Sequence, residues 1–372
     1  MGSEMCIRDS PQPVRGRRRP PGAAADRAGG PDRRAADDPD RRRPRSDRRG
    51  PVTAKRIAAI AIAAVLIVAA LLIRNGLDDD SSSATDGTDK PSGGKITVIC
   101  STEFEAICKT LPSKYTVTIE SAGDTLDKLA KDGDSPPDAW ITLDPFPSMV
   151  DVVRNGSGLA PLSPSVTVAA TDAPLLALPP DRLKQFNVGC AGERAWLCIG
   201  KVTGQSWGQL QAGASGSVNV GITDPATEAG GLLTFGNAVA GFFGGTTFSS
   251  NAFTDDPAFV PWIRTMSKAK IASPDRSPLT TLITQVSSVN VAATTSSQAT
   301  TSPQQDKFKT VDVQPAFNNV AVVATFGSNA GGLVDTVRSS LIAAGWAQAT
   351  DATPQLPAGT FIALRKLWKD TK

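Results

Sequence analysis

Residues 95–142 read KITVICSTEFEAICKTLPSKYTVTIESAGDTLDKLAKDGDSPPDAWIT, and the order of residue types in this stretch decides the fold. Lys95 to Cys100 is a short β-branched run of the kind that forms a buried strand. Ser101-Thr102-Glu103 opens a helix expected over Glu103 to Leu111, with Ser101 or Thr102 as its cap. Tyr115 to Glu120 alternates and predicts a second strand. Ser121-Ala122-Gly123-Asp124 reads as a turn before a helical segment, Thr125 to Lys131. Ala139 to Thr142 is the third strand, and Pro147 to Asn155 the helix after it. Strands alternating with helices at this spacing make a parallel sheet with helices on its faces, an α/β fold. Ligands bind such sheets at the carboxyl ends of the strands, which singles out the loops Ser101–Thr102, Ser121–Thr125 and Leu143–Phe146.

Toward the C-terminus the pattern changes. Val166 to Ala170 and Pro174 to Leu178 flank Thr171-Asp172, and Pro179-Pro180 starts a short helix to Phe186. Gly189 to Gly200 reads as a disulfide-clipped loop or hairpin, and Ser206 to Leu210 as a short helix. Val218 to Ile222 predicts a strand ending in Thr223-Asp224-Pro225, and Thr227 to Phe243 a long apolar helix. Further helices are expected over Pro257–Lys268 and Pro278–Ser287. Val289 to Ala293 is a strand before the Ser/Thr-rich stretch Thr294 to Ser302. Asn319 to Thr325 is a strong strand, Gly332 to Ala344 a helix, and a tail with Phe361-Ile362-Ala363-Leu364 follows. No repeat stands out.

Toward the N-terminus three further regions are expected. Ile57 to Ile73 is an apolar run of 17 residues without charge, Gly or Pro, near the lower limit of about 17 residues for a membrane-crossing helix. Lys55 and Arg56 precede it and Arg74 follows, so the positive-inside rule predicts a cytoplasmic N-terminus and an extracytoplasmic C-terminal part. A cleaved signal peptide is the rival reading. Its apolar core usually runs about 7–15 residues; here the run is longer and no small-x-small site precedes Arg74. Residues 1–56 have almost no apolar side chain larger than Ala after Pro11 and are expected to be a disordered basic head; Met5 to Ser10 reads as translated adapter sequence. Residues 74–94 are mostly Asp, Ser, Thr and Gly, a flexible tether. The folded part is expected over 95–372.

Composition excludes several functions. The head, 1–56, carries 16 Lys+Arg against 8 Asp+Glu, and the remainder 23 against 28, so the body has no basic excess suited to nucleic acid. There is no histidine, which removes Ser-His-Asp and Cys-His nucleophiles and His-based zinc sites. No Ser-x-x-Lys or Gly-x-Ser-x-Gly motif occurs in a fitting context, and no catalysis or cofactor is expected. Cys100, Cys108, Cys190 and Cys198 form two pairs, each spaced by eight. Four cysteines allow three connectivities; local pairing is the expectation, with about 2–3 kcal/mol of stabilisation per bridge. A four-thiolate metal site would call for C-x2–4-C spacing.

In this order the motifs resemble the type II periplasmic solute-binding proteins, particularly the molybdate-binding-like branch. The resemblance rests on Ser101-Thr102; Ser121-Ala122-Gly123-Asp124-Thr125; Gly133 with Pro136-Pro137-Asp138-Ala139-Trp140; Trp207 with Leu210; Asp224-Pro225; and Gly230-Gly231. It covers roughly residues 95–350. It implies two α/β lobes joined by two crossing strands that close on a ligand like a hinge. Mapped here, lobe one would be about 95–170 with 320–372, and lobe two about 171–319. Asp124 departs from the pattern by bringing a carboxylate into a turn that would be uncharged in an oxyanion binder.

The candidate site follows from the cleft. Helix N-termini offer free N–H groups and a partial positive charge, enough to hold a small anion without Lys or Arg. Ser101, Thr102, Ser121, Gly123, Asp124, Thr125, Thr227 and Gly230 lie where helices are expected to start, and Thr294, Thr295 and Ser296 follow a strand. Asp144, Thr171 and Asp172 sit at a loop and near a crossover; Asp124, Asp144 and Asp172 would suit an amine or a sugar hydroxyl. Each also has a bland reading: Ser and Thr before helices are ordinarily caps worth ~1 kcal/mol, and Asp in turns is ordinary. Trp140 and Phe242-Phe243 read as core. The sequence thus predicts a membrane-anchored extracytoplasmic receptor for a small molecule or oxyanion, serving an ABC permease. The alternative is a sensor or interaction module with a degenerate cleft, contacting another membrane or cell-wall protein.

Overall fold

The computed structural model describes residues 95–372 except 134, 274, 328, 329, 331 and 350–355. The head, the apolar run 57–73 and the tether lie outside the described residues. Among the described residues no helix is long and apolar enough to cross a membrane.

The chain builds a first sheet, crosses to a second, and returns. The first lobe runs β1 (Ile96–Ser101), α1 (Glu105–Cys108), β2 (Tyr115–Glu120), α2 (Ala122–Leu129), β3 (Ala139–Leu143), α3 (Phe146–Gly156) and β4 (Ser165–Asp172). After Ala173 alone, β5 (Pro174–Leu178) enters the second sheet. There follow α4 (Pro180–Gly189), α5 (Ala195–Val202), β6 (Val220–Ile222), α6 (Ala229–Phe243), α7 (Ala252–Asp255), α8 (Phe259–Met266), β7 (Lys270–Ile271), α9 (Pro278–Thr284), β8 (Val291–Thr295), α10 (Ser296–Thr301) and β9 (Lys309–Asp312). The return strand β10 (Asn319–Thr325) rejoins the first sheet, and α11 (Leu333–Ala343) and α12 (Ala358–Thr371) end the chain.

Both sheets have the same plan. The first has order β2-β1-β3-β10-β4 and the second β7-β6-β8-β5-β9. In each, three strands are parallel and a crossing strand joins them antiparallel: β10 beside β3 in one, β5 beside β8 in the other. This is the α/β two-lobed, two-crossing architecture that the family resemblance implied.

The local reasons are visible in burial. β3 is buried at all five positions, since β1 and β10 flank it and helices cover both faces; hence its unbroken apolar sequence. Trp140 is fully buried and meets the Phe146 ring edge-on at 6.3 Å. α6 carries apolar residues all round because it is the buried central helix of the second lobe. Phe242 packs on Phe259 and Trp262 at 5.2 and 5.0 Å, so the Phe242-Phe243 pair fills this lobe. The return segment is clamped by buried Asn237, whose amide donates to Phe317 O and accepts from Phe317 N–H at 3.1 and 2.9 Å.

Several elements differ from the sequence expectation. Residues 189–200 are not a hairpin: α5 begins at Ala195, and the disulfide Cys190–Cys198 ties its first turn to the end of α4. The other bridge is Cys100–Cys108, so both pairings are local. The helix expected from Glu103 shortens to a 3-10 turn, Thr102–Phe104, and α1. The expected tail is α12, which packs on α3 of the first lobe and α6 of the second.

Candidate functional site

The carboxyl ends of β1 and β2 face the β6–α6 turn of the other lobe, and the two lobes touch there directly. Gly123 N–H donates to Thr227 O at 2.7 Å. Gly230 N–H donates to Glu103 Oε1 at 2.8 Å, and the Thr102 hydroxyl donates to Glu228 Oε2. From α12, Arg365 spans this seam: its Nε donates to Ala226 O at 2.7 Å, and the guanidinium grips the Asp127 carboxylate at 2.7 and 2.9 Å and Gly123 O at 3.3 Å. A Cβ on Gly123 would stand 2.7 Å from Ala226 O and 2.8 Å from Thr227 Cα; a glycine permits the approach, and the neighbour is protein.

Beside the seam lies a cavity of about 270 Å³ with walls from both lobes. Glu103, Phe104, Leu143 and Trp346 line it from the first lobe, with Asn319 at the crossing. Thr223, Gly230, Thr234, Thr294, Thr295, Ser297 and Gln298 line it from the second. The rings of buried Phe104 and half-buried Trp346 lie 5.7 Å apart on its apolar side. Among the described residues Glu103 is the one charged residue of the lining, and no Lys or Arg lines the cavity. A larger open depression of about 660 Å³, around Lys270, Arg276 and Gln285, takes its walls from the second lobe only.

The sequence-predicted residues divide into three groups. Gly230, Thr294 and Thr295 line the cavity. Thr102, Gly123 and Thr227 form the seam, with Thr227 in the turn before α6 because the helix starts at Ala229 with Glu228 as its cap. The rest make side-chain bonds within the protein or, for Asp144, Thr171 and Ser296, backbone bonds. Ser101 is fully buried between Thr142 Oγ1 and Trp140 Nε1. Ser121 and Asp124 cap α2 through Asp124 N–H to Ser121 Oγ and Ser121 Oγ–H to Asp124 Oδ2, and α2 therefore begins at Ala122, inside the expected turn. Buried Thr125 donates to Glu120. Thr171 pairs through its backbone with Ala347, and Ser296 N–H donates to Ala173 O. Asp172 accepts from Ser297 N–H and Oγ–H at 2.9 and 2.5 Å, tying the crossing to α10. Asp144 N–H donates to Val320 O. The sequence reading did not single out Glu103, Phe104, Trp346 or Gln298; Glu103, beside the strand-end Ser101-Thr102, carried the available signal.

Electrostatically the seam is acidic. Burial raises the Glu228 pKa to about 7, the Glu103 charge adds to this, and Asp224 and Asp124 add less; Thr102 opposes it. Glu103 itself is raised by burial against the lowering hydrogen bonds from Gly230 and its neighbours. The Glu103 residue as a whole is exposed, yet protein packed round its carboxyl still disfavours the charge. Burial also raises Asp144 and Asp172. Among the described residues no group of His, Cys, Asp and Glu could hold a metal.

No family model and no curated protein sequence matches this chain. Among solved structures it is similar to iron-bound HitA from Pseudomonas aeruginosa (11% identity, 74% of this chain and 99% of that one, TM-score 0.48). It is also similar to the periplasmic binding protein AfuA from Actinobacillus pleuropneumoniae with fructose-6-phosphate bound (12%, 72% and 88%, 0.46). A third is the sulfate-binding protein SubI from Mycobacterium tuberculosis (12%, 73% and 98%, 0.42). At these TM-scores the likeness carries no argument, and the two-lobed assignment stands on strand order and crossings alone.

Proposed function

We propose that this chain is an extracytoplasmic solute-binding protein, without catalysis of its own, that takes a small polar ligand between its lobes. The observation that carries the reading is the cavity walled by both lobes beside two crossing strands. A ligand there touches both sheets, so it favours the closed lobe arrangement over the open one, the condition for ligand-driven closure. Residues 57–73 support an uncleaved anchor that leaves the head in the cytoplasm and the lobes outside. An ABC permease is the partner this arrangement suits. The two disulfides accord with an oxidising compartment.

The test is a thermal-shift screen of the full-length chain in non-ionic detergent, without reductant, against oxyanions, sugars, amino acids and polyamines. A ligand at ~100 times its Kd stabilises the fold by about 2.7 kcal/mol. A specific hit is the expected result; a stable protein with no hit in any class counts against solute capture. The second reading, a sensor or interaction module, is favoured by the seam, where Arg365 joins the two lobes by direct hydrogen bonds. Under it, capture from membranes recovers a membrane or cell-wall protein and the screen stays silent.

A further inference from the structure

We infer that the interlobe cavity takes a small organic cation, its ammonium seated on Glu103 and its hydrocarbon part against Trp346. The inference rests on the solute-binding reading and narrows it to a ligand class. Its first ground is that particular N–H groups at the starts of α2, α6 and α10 are already bonded within the protein. Gly230 N–H at the start of α6 is taken by the Glu103 carboxylate, Ser297 N–H of α10 by Asp172, and Asp124 N–H of α2 by Ser121. Gly123 N–H, also in the first turn of α2, is spent on Thr227 O. An oxyanion seeking any of these groups would have to displace one of the protein's own acceptors, and at Gly230 and Ser297 that acceptor is a carboxylate.

The second ground is charge. Among the described residues Glu103 lines the cavity with no Lys or Arg beside it in the wall, and Glu228 stands next to it, both within reach of the Thr102 hydroxyl. A carboxylate pair in a partly desolvated site is stabilised by a cation brought from outside. The third ground is the wall itself. Half-buried Trp346, its ring 5.7 Å from that of buried Phe104, offers an apolar surface to an alkylammonium group, while Thr234, Thr294 and Gln298 also line the cavity, the Thr294 hydroxyl donating to Gln298 Oε1 at 3.0 Å. The volume, about 270 Å³, lies just under the ~300–1,000 Å³ common for drug-sized ligands, which suits a molecule of metabolite size.

The experiment measures affinity of the full-length chain in non-ionic detergent for choline, agmatine and putrescine. Myo-inositol, sulfate and phosphate are compared under the same conditions. Saturable binding of an amine is expected, weakened about ten-fold or more by Glu103→Gln, the loss typical of a charge-assisted contact. Trp346→Ala, which leaves the carboxylate in place, should weaken the same amine; circular dichroism checks that both variants are folded. Amine binding unchanged in a folded Glu103→Gln protein overturns the inference. So does binding of sulfate, phosphate or inositol with no amine bound, though solute capture then stands. Silence from every probe, in the wild type and in Arg365→Ala with its loosened seam, overturns the inference, and solute capture falls with it when the wider screen is silent too.

Discussion

Glu228 illustrates how a single carboxyl can set the pH response of the seam. Its pKa stands at about 7 against an ordinary 4.5, chiefly through burial and then through Glu103. Across that window the unfolded chain has lost the proton and the native state keeps it. The native state therefore binds more protons, and stability falls as pH rises from about 4.5 to 7. The groups facing Glu228 are Glu103 from the β1 end, Asp224 from the β6 end and Asp124 from α2; Arg365 lies nearby on Ala226 O but is engaged by Asp127. Glu228→Gln should raise stability at pH 8 on the order of 2 kcal/mol and flatten the slope, measured as melting temperature against pH. Asp144 and Asp172, also raised by burial, leave a residual slope of the same sign. A variant with an undiminished slope would remove Glu228 from this role. At this scale the sequence was a poor guide: Ser101 and Thr125 looked like free donors, yet both are buried and bonded inward.

At the scale of elements, α6 depends on the adjacent glycines at its start in different ways. A Cβ on Gly231 would stand 2.7 Å from the carbonyl carbon and oxygen of Asp224 and 2.8 Å from Thr223 O. These are backbone atoms, so no side-chain rotation relieves the clash, and α6 must shift from the end of β6. Gly231→Ala should cost about 1–3 kcal/mol, read by chemical denaturation. Gly230→Ala is the control. Its Cβ meets only the Glu103 side chain, at 3.7 Å, and stability should change by less than ~1 kcal/mol. Equal losses in the two would show that close packing at Gly231 is not the cause. Strand periodicity was legible here: Tyr115–Glu120 and Asn319–Thr325 appear with their expected ends. α5 was not legible, because AWLCIGKV is short and apolar and its helical period emerges only where it packs on α6 and α8.

For the whole molecule, α12 is a strap across the lobes. Arg365 joins Asp127 and Gly123 of the first lobe to Ala226 of the second, and Trp368 Nε1 donates to Asp224 Oδ1 at 3.2 Å. The Arg365 hydrogen bond also holds the Asp127 carboxyl below its ordinary range. That contribution is complete above the ordinary carboxylate pKa and is lost as pH falls through the depressed one. Arg365→Ala should cost ~2–3 kcal/mol, less than a fully buried pair since Asp127 is half open to solvent. It should also speed hydrogen exchange at the Gly123 amide, whose acceptor is across the seam. A destabilised variant with unchanged Gly123 exchange would make Arg365 a packing residue and not a strap.

The sequence by itself determined the alternation of strands and helices, the loops at the strand ends, the excluded chemistries and the spacing that allows two local disulfides. These depend on neighbours a few residues apart, and periodicity records them. Only the tertiary structure decided which donors are left for a ligand. The partners that occupy them come from far along the chain: Glu103 meets Gly230 at a separation of 127 residues, Asp172 meets Ser297 at 125, and Asp127 meets Arg365 at 238. A hydroxyl or N–H at a helix start looks the same in sequence whether it faces water, a ligand or its own protein. The hydrogen-bond partner that decides between these is placed by the fold.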